Sequence, residues 1–485
     1  MQNIIKDYLR FLLEDVGYVG FRYDMVKGFW ASFIADYNMA AKPRFSVGEY
    51  FDGTAKIKEW VNNTKGYVSD SPTSAAFDFQ FHFRMRDAIE SRNWRNLGWD
   101  EKPLADCYEK QYAVTFVENH DTEYRVTGET QTAIWKDTLA ANAYMLAMSG
   151  TPCIWYRHWA DPNCKYALKQ MILARRTAGI ANTSETEEKW TDDNFYAKVA
   201  KGKYSNLLCV VGNKPGNYSA GSGYTEILSG KGYRYLLSRN ANTVWLDVPD
   251  GIYESPLKVK FTTVSNLSGA KIVYTLDGSS PTPDSPQLNN GASLSIKSSC
   301  TIRAGILSGG KVYGIQQRKY EIFVPHDITI SVSSDISWPG MTFYVWDNLG
   351  NKLNGEWPGK RVMTYDNIDG KRWFYQTFHI TSPDQYLNLI ISNTSKNKQT
   401  VNIEGMRSDC YISITAEKDD DKYIVEDRTA DIDTSIDNPQ EDNQFSQKDT
   451  KQNLMFDLSG RKLSSSALRK SQKGIVIQNG RKVAY

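Results

Sequence analysis

Short apolar runs alternate with amphipathic stretches along the first 175 residues or so. The runs end in polar or charged residues and read "YVGFRYD", "RFSVGEY", "AAFDFQF", "AVTFVENHD" and "GTPCIWY". Residues 1–16, 82–92 and 131–148 instead place apolar side chains at helical spacing. Short buried strands separated by helices indicate βαβ units and a parallel sheet. This part is therefore predicted to have an α/β fold, with polar residues at the carboxyl ends of its strands.

The rest of the chain has the pattern of an all-β protein. Residues 176–250 contain "FYAKVAKG", "NLLCVVGN" and "TVWLDVP", which predict a small antiparallel sheet, and residues 255–324 and 326–427 continue in the same style. Residues 428–450 are polar and acidic and predict a linker. The tail at 452–485 returns to strand-like alternation. Several domains are expected, as the length of 485 residues also indicates.

Composition narrows the classes of function. The net charge of +2, from 58 basic and 56 acidic residues, gives no electrostatic basis for binding nucleic acid or a membrane surface. No apolar stretch is long enough to span a bilayer. The six cysteines are scattered without paired spacing, which argues against a zinc site and a disulfide framework. The 13 Trp and 29 Tyr suit sugar rings, although aromatic cores also use such residues.

Three acidic residues, Asp24, Glu49 and Asp121, stand at or close to the ends of candidate strands. If the strands are parallel and adjacent, their carboxylates converge on one rim. Cleavage of a glycosidic bond needs such a group, because one carboxylate attacks the sugar while another protonates the leaving oxygen. Alternative roles are helix capping for the acidic residues, core packing for His120 and a buried ion pair for Arg22.

Three motifs in a fixed order resemble signature regions of the α-amylase family, glycoside hydrolase family 13. They are the second region, "GFRYDMVKGF" at 20–29, the third, "VGEYFD" at 47–52, and the fourth, "FVENHD" at 116–121. The segment "GTPCIWYRHW" also resembles the last barrel strand of plant-like members. The resemblance implies that residues 1–175 are strands 4 to 8 of a TIM (β/α)8 barrel. It implies that residues 176–250 are the family's C-terminal β domain.

The same resemblance implies roles for single residues. Asp24 would be the nucleophile, Glu49 the general acid and then base, and Asp121 would stabilise the distorted sugar in the transition state. Cleavage would retain the anomeric configuration, which requires working carboxyls about 5 to 5.5 Å apart. The substrate would be starch or a related α-glucan, cut at internal α-1,4 bonds.

Four further residues are implied as neighbours of these carboxylates. Arg22 would orient Asp24, because residues two apart on a strand share a face. His120 would bind the glucose unit and Lys27 a neighbouring sugar. The backbone carbonyl of Gly28 would join a structural Ca²⁺ site, whose side-chain ligands the sequence does not identify.

The family's first signature region has no counterpart in this sequence, and residues 1–16 resemble the helix before the fourth barrel strand. We therefore expect a chain truncated at its N-terminus, with five of eight barrel strands. The alternative to an amylase is accordingly an inactive fragment or a non-catalytic starch-binding protein.

The β-rich part resembles accessory modules of secreted glycosidases. Residues 326–427 resemble starch-binding modules of carbohydrate-binding family 26, which implies sugar stacking by Tyr344, Trp346 and Trp357 and a polar contact by Gln399. The alternative is that these rings fill the core of the sandwich. Residues 255–324 resemble a chitobiase-type repeat. The tail resembles C-terminal sorting segments, with an ordinary terminal β-hairpin as the alternative. We therefore expect a secreted or cell-surface protein, whose signal peptide was lost with the missing N-terminus.

Overall fold

The computed structural model describes residues 2–98, 101–123, 132–338, 340–394 and 398–432. Four short strands between residues 455 and 484 are described by their backbone. Most of the predicted linker at 428–450 lies outside the described residues.

Five parallel strands form the first sheet and follow one another in chain order. They are β1 Gly20–Tyr23, β2 Phe45–Gly48, β3 Ala75–Phe77, β4 Ala113–Phe116 and β5 Thr151–Cys153. Each predicted apolar run contains one of these strands, which confirms the parallel arrangement expected for this part. Strands β1 and β5 are the two edges of the described sheet. The closed barrel stays a prediction.

Helices connect the strands of this sheet. The described α-helices are α1 Gln2–Glu14, α2 Ala31–Ala41, α3 Thr54–Asn63, α4 Phe79–Ser91, α5 Thr138–Ala147, α6 Tyr156–Ala160 and α7 Pro162–Ala178. Short 3₁₀ helices occur at Val26–Gly28, Trp94–Gly98, Leu104–Asp106, Lys110–Tyr112, Pro215–Asn217 and Arg239–Ala241. Helix α4 begins earlier than predicted because the Asp78 side chain accepts the Phe81 amide at 3.2 Å and caps it. Helix α5 begins later, at Thr138.

A five-stranded antiparallel sheet packs against this α/β part. Its strands are β6 Thr186–Thr191, β7 Phe195–Lys201, β8 Asn206–Gly212, β9 Tyr224–Gly230 and β10 Tyr233–Ser238, in the order β6-β7-β8-β10-β9. Buried apolar side chains of this sheet and of α5 and α7 form one continuous core. The Tyr235 hydroxyl, for example, donates to the Ala143 carbonyl in α5.

Two facing sheets follow and enclose a separate core. One contains β11 Thr243–Leu246, β13 Leu257–Val264 and β16 Ser293–Ile296. The other contains β12 Gly251–Tyr253, β14 Lys271–Thr275, β15 Gln287–Leu288, β17 Cys300–Ser308 and β18 Lys311–Ile322. The assignment of "TVWLDVP" to the preceding sheet is wrong. Strand β11 pairs with β13, and its Val244 and Leu246 are buried in this second core, whereas Trp245 is buried in the core of the preceding part.

A second sandwich occupies residues 326–427. One sheet contains β19 His326–Ser334, β22 Tyr365–Ile368, β23 Lys371–Ile380, β26 Cys410–Asp419 and β27 Lys422–Asp427. The other contains β20 Met341–Asp347, β21 Lys360–Val362, β24 Leu387–Asn393 and β25 Ile403–Met406. Apolar residues of both sheets form its core.

The tail contains a four-stranded sheet. Its strands are β28 Met455–Phe456, β29 Lys462–Leu463, β30 Ile475–Gln478 and β31 Arg481–Ala484. Within the described parts of the chain, no helix combines the length and apolar character needed to cross a membrane.

Candidate functional site

The ends of β1 and β2 bring Asp24 and Glu49 to the same edge of the sheet. Parallel pairing sets Tyr23 opposite Gly48, so Asp24 and Glu49 each follow a paired strand residue. Backbone hydrogen bonds continue beyond the strands. The Glu49 amide donates to the Tyr23 carbonyl at 2.9 Å, and the Val26 amide donates to the Glu49 carbonyl at 3.2 Å. The two carboxylates therefore project from backbone segments that are hydrogen-bonded to each other.

Arg22 joins these two carboxylates. Its Nη1 donates to Asp24 Oδ1, and its Nη2 lies 2.8 Å from Glu49 Oε1. The Met25 amide donates to the second Glu49 oxygen at 3.3 Å. The Asp24 side chain is 66% exposed and the Glu49 side chain only 7%. One carboxylate thus faces solvent while the other is buried, and a single guanidinium contacts both.

Gly48 allows the backbone before Glu49 to pack against Trp60 of α3. A Cβ atom at position 48 would lie 2.2 Å from the Trp60 ring, which is far inside van der Waals contact. Trp60 itself is buried. The close approach fixes the backbone from which the Glu49 side chain projects.

Lys27 lies beside this pair of carboxylates in an ion pair of its own. Its Nζ lies 2.9 Å from Asp52 Oδ2 and donates to the Phe51 carbonyl at 3.1 Å. Lys27 and Gly28 adjoin a cavity of about 350 Å³, whose wall includes the exposed Trp30. Asp52 was not among the predicted site residues. Its position three residues after Glu49 in "VGEYFD" was the available signal.

The segment after β4 carries His120 and Asp121 in a turn stabilised by its own side chains. Asn119 Oδ1 accepts the amides of Asp121 and Thr122, each at 2.8 Å. Thr122 Oγ1 accepts the Asn119 amide at 3.0 Å. His120 Nε2 lies 3.2 Å from Asp121 Oδ2. The two predicted site residues are thus held next to each other.

Strand β3 separates the Asp121 strand from the Glu49 strand. The sheet order is β1-β2-β3-β4-β5, so the strands that precede the three predicted carboxylates are parallel but not all adjacent. The expected adjacency holds for Asp24 and Glu49 only. Asp121 is at the same, carboxyl-end side of the sheet but two strands away from Glu49.

Glu118 is a buried acidic residue that was not among the predicted site residues. Thr122 Oγ1 donates to its Oε2 at 2.9 Å, and the Ile134 amide donates to its Oε1. Burial raises the pKa of Glu118 to about 7, although both hydrogen bonds act in the opposite direction. The Glu118 carboxylate therefore connects Ile134 to the turn that contains His120 and Asp121. The signal in the sequence was a carboxylate two residues after the buried strand β4.

His82 supports the end of β4 from α4. Its Nδ1–H donates to the Val117 carbonyl at 2.7 Å, and its ring stacks on Phe116 with centroids 5.4 Å apart. Burial lowers the pKa of His82 to about 4. A neutral imidazole is thus part of the structure that positions the turn at 118–122.

A second group of predicted residues forms an aromatic cluster on the last sandwich. The Tyr344 ring centroid lies 5.4 Å from that of Trp346 and 5.4 Å from that of Trp357. Alternation along β20 buries Phe343 and Val345 and leaves Tyr344 and Trp346 partly exposed. Trp357 is 44% exposed. These rings lie outside the apolar core of the sandwich, so the alternative that they fill it is wrong.

Gln399 lies on the same face as this aromatic cluster. It forms a bridge with Ser392, and Ser392 pairs with Thr342 of β20. Residues directly opposite each other on antiparallel strands point to the same face of a sheet. Thr342 and Tyr344 also share a face, because they are two residues apart on one strand. Gln399 is partly exposed and therefore lies on the same surface of the sheet as the aromatic cluster, two strand positions away.

The residues described offer no cluster of acidic, His or Cys side chains for the predicted Ca²⁺ site. No group of three or more His, Cys, Asp or Glu side chains there is arranged to hold a metal ion. The Gly28 carbonyl is one neutral oxygen, whereas Ca²⁺ takes six to eight oxygen ligands. The described residues do not fit the ion, and no step below depends on it.

Comparison with known proteins gives one domain match and several relatives. Residues 248–312 match the family described as the Chitobiase/beta-hexosaminidase C-terminal domain. This match overlaps residues 255–324, for which the sequence predicts a chitobiase-type repeat. Among solved structures, the chain is similar to a γ-CGTase from an alkalophilic Bacillus clarkii, at 16% identity and a TM-score of 0.37. The similarity covers 85% of this chain and 71% of that one.

The curated relatives include several α-amylases. The chain is 30% identical over 256 residues to Probable alpha-amylase 2 of Arabidopsis thaliana, covering 48% of this chain and 57% of the relative. It is 28% identical over 255 residues to Alpha-amylase 3, chloroplastic, of the same plant, covering 47% and 27%. It is 34% identical over 121 residues to the Alpha-amylase type B isozyme of Hordeum vulgare, covering 24% and 75%. The chain thus spans 57% of the length of Probable alpha-amylase 2 and 27% of the length of Alpha-amylase 3.

Proposed function

This chain belongs to the α-amylase family of glycoside hydrolases, and we propose that it hydrolyses internal α-1,4-glucosidic bonds of starch and glycogen. The observation that carries the proposal is the contact of one guanidinium, that of Arg22, with the carboxylates of Asp24 and Glu49. Two carboxyl groups in a defined geometry are what glycosidic cleavage requires. The names of the curated relatives support starch-type α-glucans as the substrate class.

In the proposed reaction, the exposed Asp24 is the nucleophile. Its carboxylate attacks the anomeric carbon and forms a covalent ester, while Glu49 in its acid form donates a proton to the departing glycosidic oxygen. Glu49 then takes a proton from a water molecule that attacks the same carbon, and the Asp24 ester bond breaks. Two inversions at one carbon retain its configuration.

Arg22 acts on both carboxylates during this cycle. Its positive charge orients Asp24 for attack and stabilises the Glu49 carboxylate that remains after proton donation. A guanidinium does not give up a proton in proteins, so Arg22 cannot replace Glu49 as the general acid. Arg22 is therefore a positioning residue.

The turn after β4 supplies contacts to the sugar. Asp121 and His120, held together by Asn119 and Thr122, bind hydroxyl groups of the glucose unit at the cleavage point. Lys27, fixed by Asp52, contacts a neighbouring glucose unit.

The aromatic cluster of Tyr344, Trp346 and Trp357 anchors the protein to starch. Flat aromatic faces that are partly exposed and close together suit the apolar faces of successive glucose rings. Gln399 contributes a polar contact from the same face. A polymeric substrate is consistent with a secreted or cell-surface location.

A second candidate function is starch binding without catalysis. The observation that favours it is the position of β1, which carries Arg22 and leads to Asp24 but pairs on one side only within the described sheet. In this case the aromatic cluster would bind starch, and Asp24 and Glu49 would not catalyse its hydrolysis.

One experiment separates the two functions. Purified protein and the variants Glu49→Gln, Asp24→Asn and Asp193→Asn are assayed for release of reducing ends from soluble starch and for binding to insoluble starch. Asp193 is an exposed carboxylate paired with Arg95 and serves as the matched control. The enzyme function is supported if Glu49→Gln and Asp24→Asn abolish hydrolysis, Asp193→Asn does not, and all three variants still bind insoluble starch. Binding without hydrolysis in the unmodified protein supports the second candidate.

A further inference from the structure

A cavity of about 700 Å³ lies far along the chain from the proposed catalytic carboxylates. It is enclosed by helix α7, the turn at 203–204 and strand β18, which belongs to the chitobiase-type sandwich. The cavity therefore lies at the junction of three parts of the fold. Nothing in the proposed glycosidase mechanism uses it.

Three cationic side chains line this cavity. They are Arg176 of α7, Lys203 and Arg318 of β18, and none of them forms a salt bridge with a described carboxylate. Asp250 is the acidic residue on the described wall, and its Oδ1 already accepts the Lys319 amide at 2.7 Å. Three cations against one carboxylate leave the wall with a net charge of +2.

Arg318 is the most informative of these residues because it is buried. Only 3% of the residue is exposed, and burial lowers the pKa of its guanidinium. Its Nη1 donates to the Gln317 carbonyl at 2.6 Å, whereas its Nε and Nη2 are buried without a hydrogen-bond partner. Thr177 Oγ1, on the facing helix, is also buried and unpaired. These three atoms are shielded from the cavity, so a ligand there would interact with Arg318 through the positive charge of its guanidinium, which no described carboxylate neutralises in a salt bridge.

The wall beside Arg318 is fixed before any ligand binds. Thr243 Oγ1 donates to the Gly314 carbonyl at 2.6 Å and accepts a hydrogen bond from Gln316 Nε2 at 3.0 Å. Gly314 has φ +51, and a Cβ atom there would lie 2.3 Å from the Asn242 carbonyl oxygen. The glycine thus allows the two backbones to touch, and β18 is held against the start of β11. A preformed site of this kind loses little entropy on binding.

We propose that this cavity binds an oxyanion of the phosphate class. A doubly charged tetrahedral anion would neutralise the net charge of the wall, to which the buried guanidinium of Arg318 contributes. Arg176 and Lys203 are exposed and would hold it from the open side. The volume leaves room for a sugar attached to the phosphate, so the anion is either free or part of a hexose phosphate. In both cases the recognised chemistry is the same.

The test is a calorimetric titration of the full chain with inorganic phosphate at constant ionic strength. Saturable binding is expected, and Arg176→Gln and Lys203→Gln should each weaken it by on the order of tenfold, because each removes a charge-assisted contact. Lys311→Gln is the matched control, since Lys311 is an exposed lysine of the same strand as Arg318 but does not line the cavity. Arg318→Met should abolish binding if that variant folds. The two exposed variants keep the test decisive if it does not.

The outcomes distinguish the sources of the anion and can overturn the proposal. Tighter binding of glucose 6-phosphate than of phosphate, with no binding of glucose, supports an organic phosphate. Equal or tighter binding of phosphate itself supports a free oxyanion. The proposal is overturned by an absence of saturable phosphate binding, or by equal affinities in Arg176→Gln and Lys311→Gln. Hydrolysis of starch is not part of this test, so its result is independent of the proposed catalytic function.

Discussion

Arg22 Nη2 lies 2.8 Å from Glu49 Oε1, although the two residues belong to different parts of the chain. The contact exists because β1 and β2 pair in parallel with Tyr23 opposite Gly48. The same guanidinium also binds Asp24. One side chain therefore links the two carboxylates of the proposed catalytic pair.

The first prediction is that Arg22→Lys lowers kcat/KM for soluble starch by roughly 10²-fold. A lysine keeps the charge but offers a single nitrogen, so it cannot contact both carboxylates with the planar geometry of a guanidinium. Arg95→Lys, at an exposed arginine that pairs with Asp193, is the matched control. Equal kcat/KM values for the two variants, with both folded by circular dichroism, would show that Arg22 does not position the pair.

The second prediction concerns Glu118 and pH. The pKa of Glu118 is raised to about 7 in the folded protein, above the ordinary value of 4.5. Between pH 4.5 and pH 7 the folded protein therefore holds a proton on Glu118 that the unfolded protein releases. The stability that protonated Glu118 contributes is lost as pH rises through 7. Glu118→Gln removes the titration. The stability difference between unmodified protein and variant, from denaturant unfolding at pH 5 to 8, should shift in favour of the variant as pH rises.

A pH-independent difference would contradict this account of Glu118. Glu90→Gln, at an exposed glutamate at the end of α4, is the control and should show no such shift.

The third prediction is that Trp346→Ala weakens binding to insoluble starch by on the order of tenfold and leaves hydrolysis of short soluble maltooligosaccharides unchanged. The ring is one of three in the exposed cluster, so its removal loses stacking area without opening the core. Trp190→Ala, at a tryptophan that is 52% exposed on another sheet, is the control. Starch binding that falls equally in both variants would exclude a specific role for the cluster.

The fourth prediction is that Gly48→Ala destabilises the protein by about 1–3 kcal/mol, because a methyl group at this position overlaps the Trp60 ring. The measurement is the free energy of unfolding from denaturant titration. Gly223→Ala is the control, since a Cβ atom at Gly223 meets nothing within 4 Å. A destabilised Gly48→Ala protein should also lose activity, because Glu49 is the next residue. Equal stability of the two variants would rule out the close approach.

The sequence predicted the five parallel strands because each is a short apolar run that ends in polar residues. Alternation along β20 also places Tyr344 and Trp346 on one face, because alternation is a local property, but it does not reveal that this face lies outside the core. The sequence did not predict that Arg22 reaches Glu49, because that contact depends on the register between two strands. The assignment of Thr243–Leu246 failed for a similar reason: this strand contributes Trp245 to one core and Val244 and Leu246 to the next, and its sequence does not reveal with which sheet it pairs.

The stereochemistry of the first product tests the central claim most directly. Proton NMR spectra are recorded during the first minutes of hydrolysis of a soluble maltooligosaccharide, before the anomers equilibrate. Nucleophilic attack by Asp24 with proton transfer by Glu49 predicts that the α-anomer forms first and that Asp24→Asn and Glu49→Gln abolish the signal. Initial formation of the β-anomer, or no hydrolysis by the unmodified protein, would contradict the account.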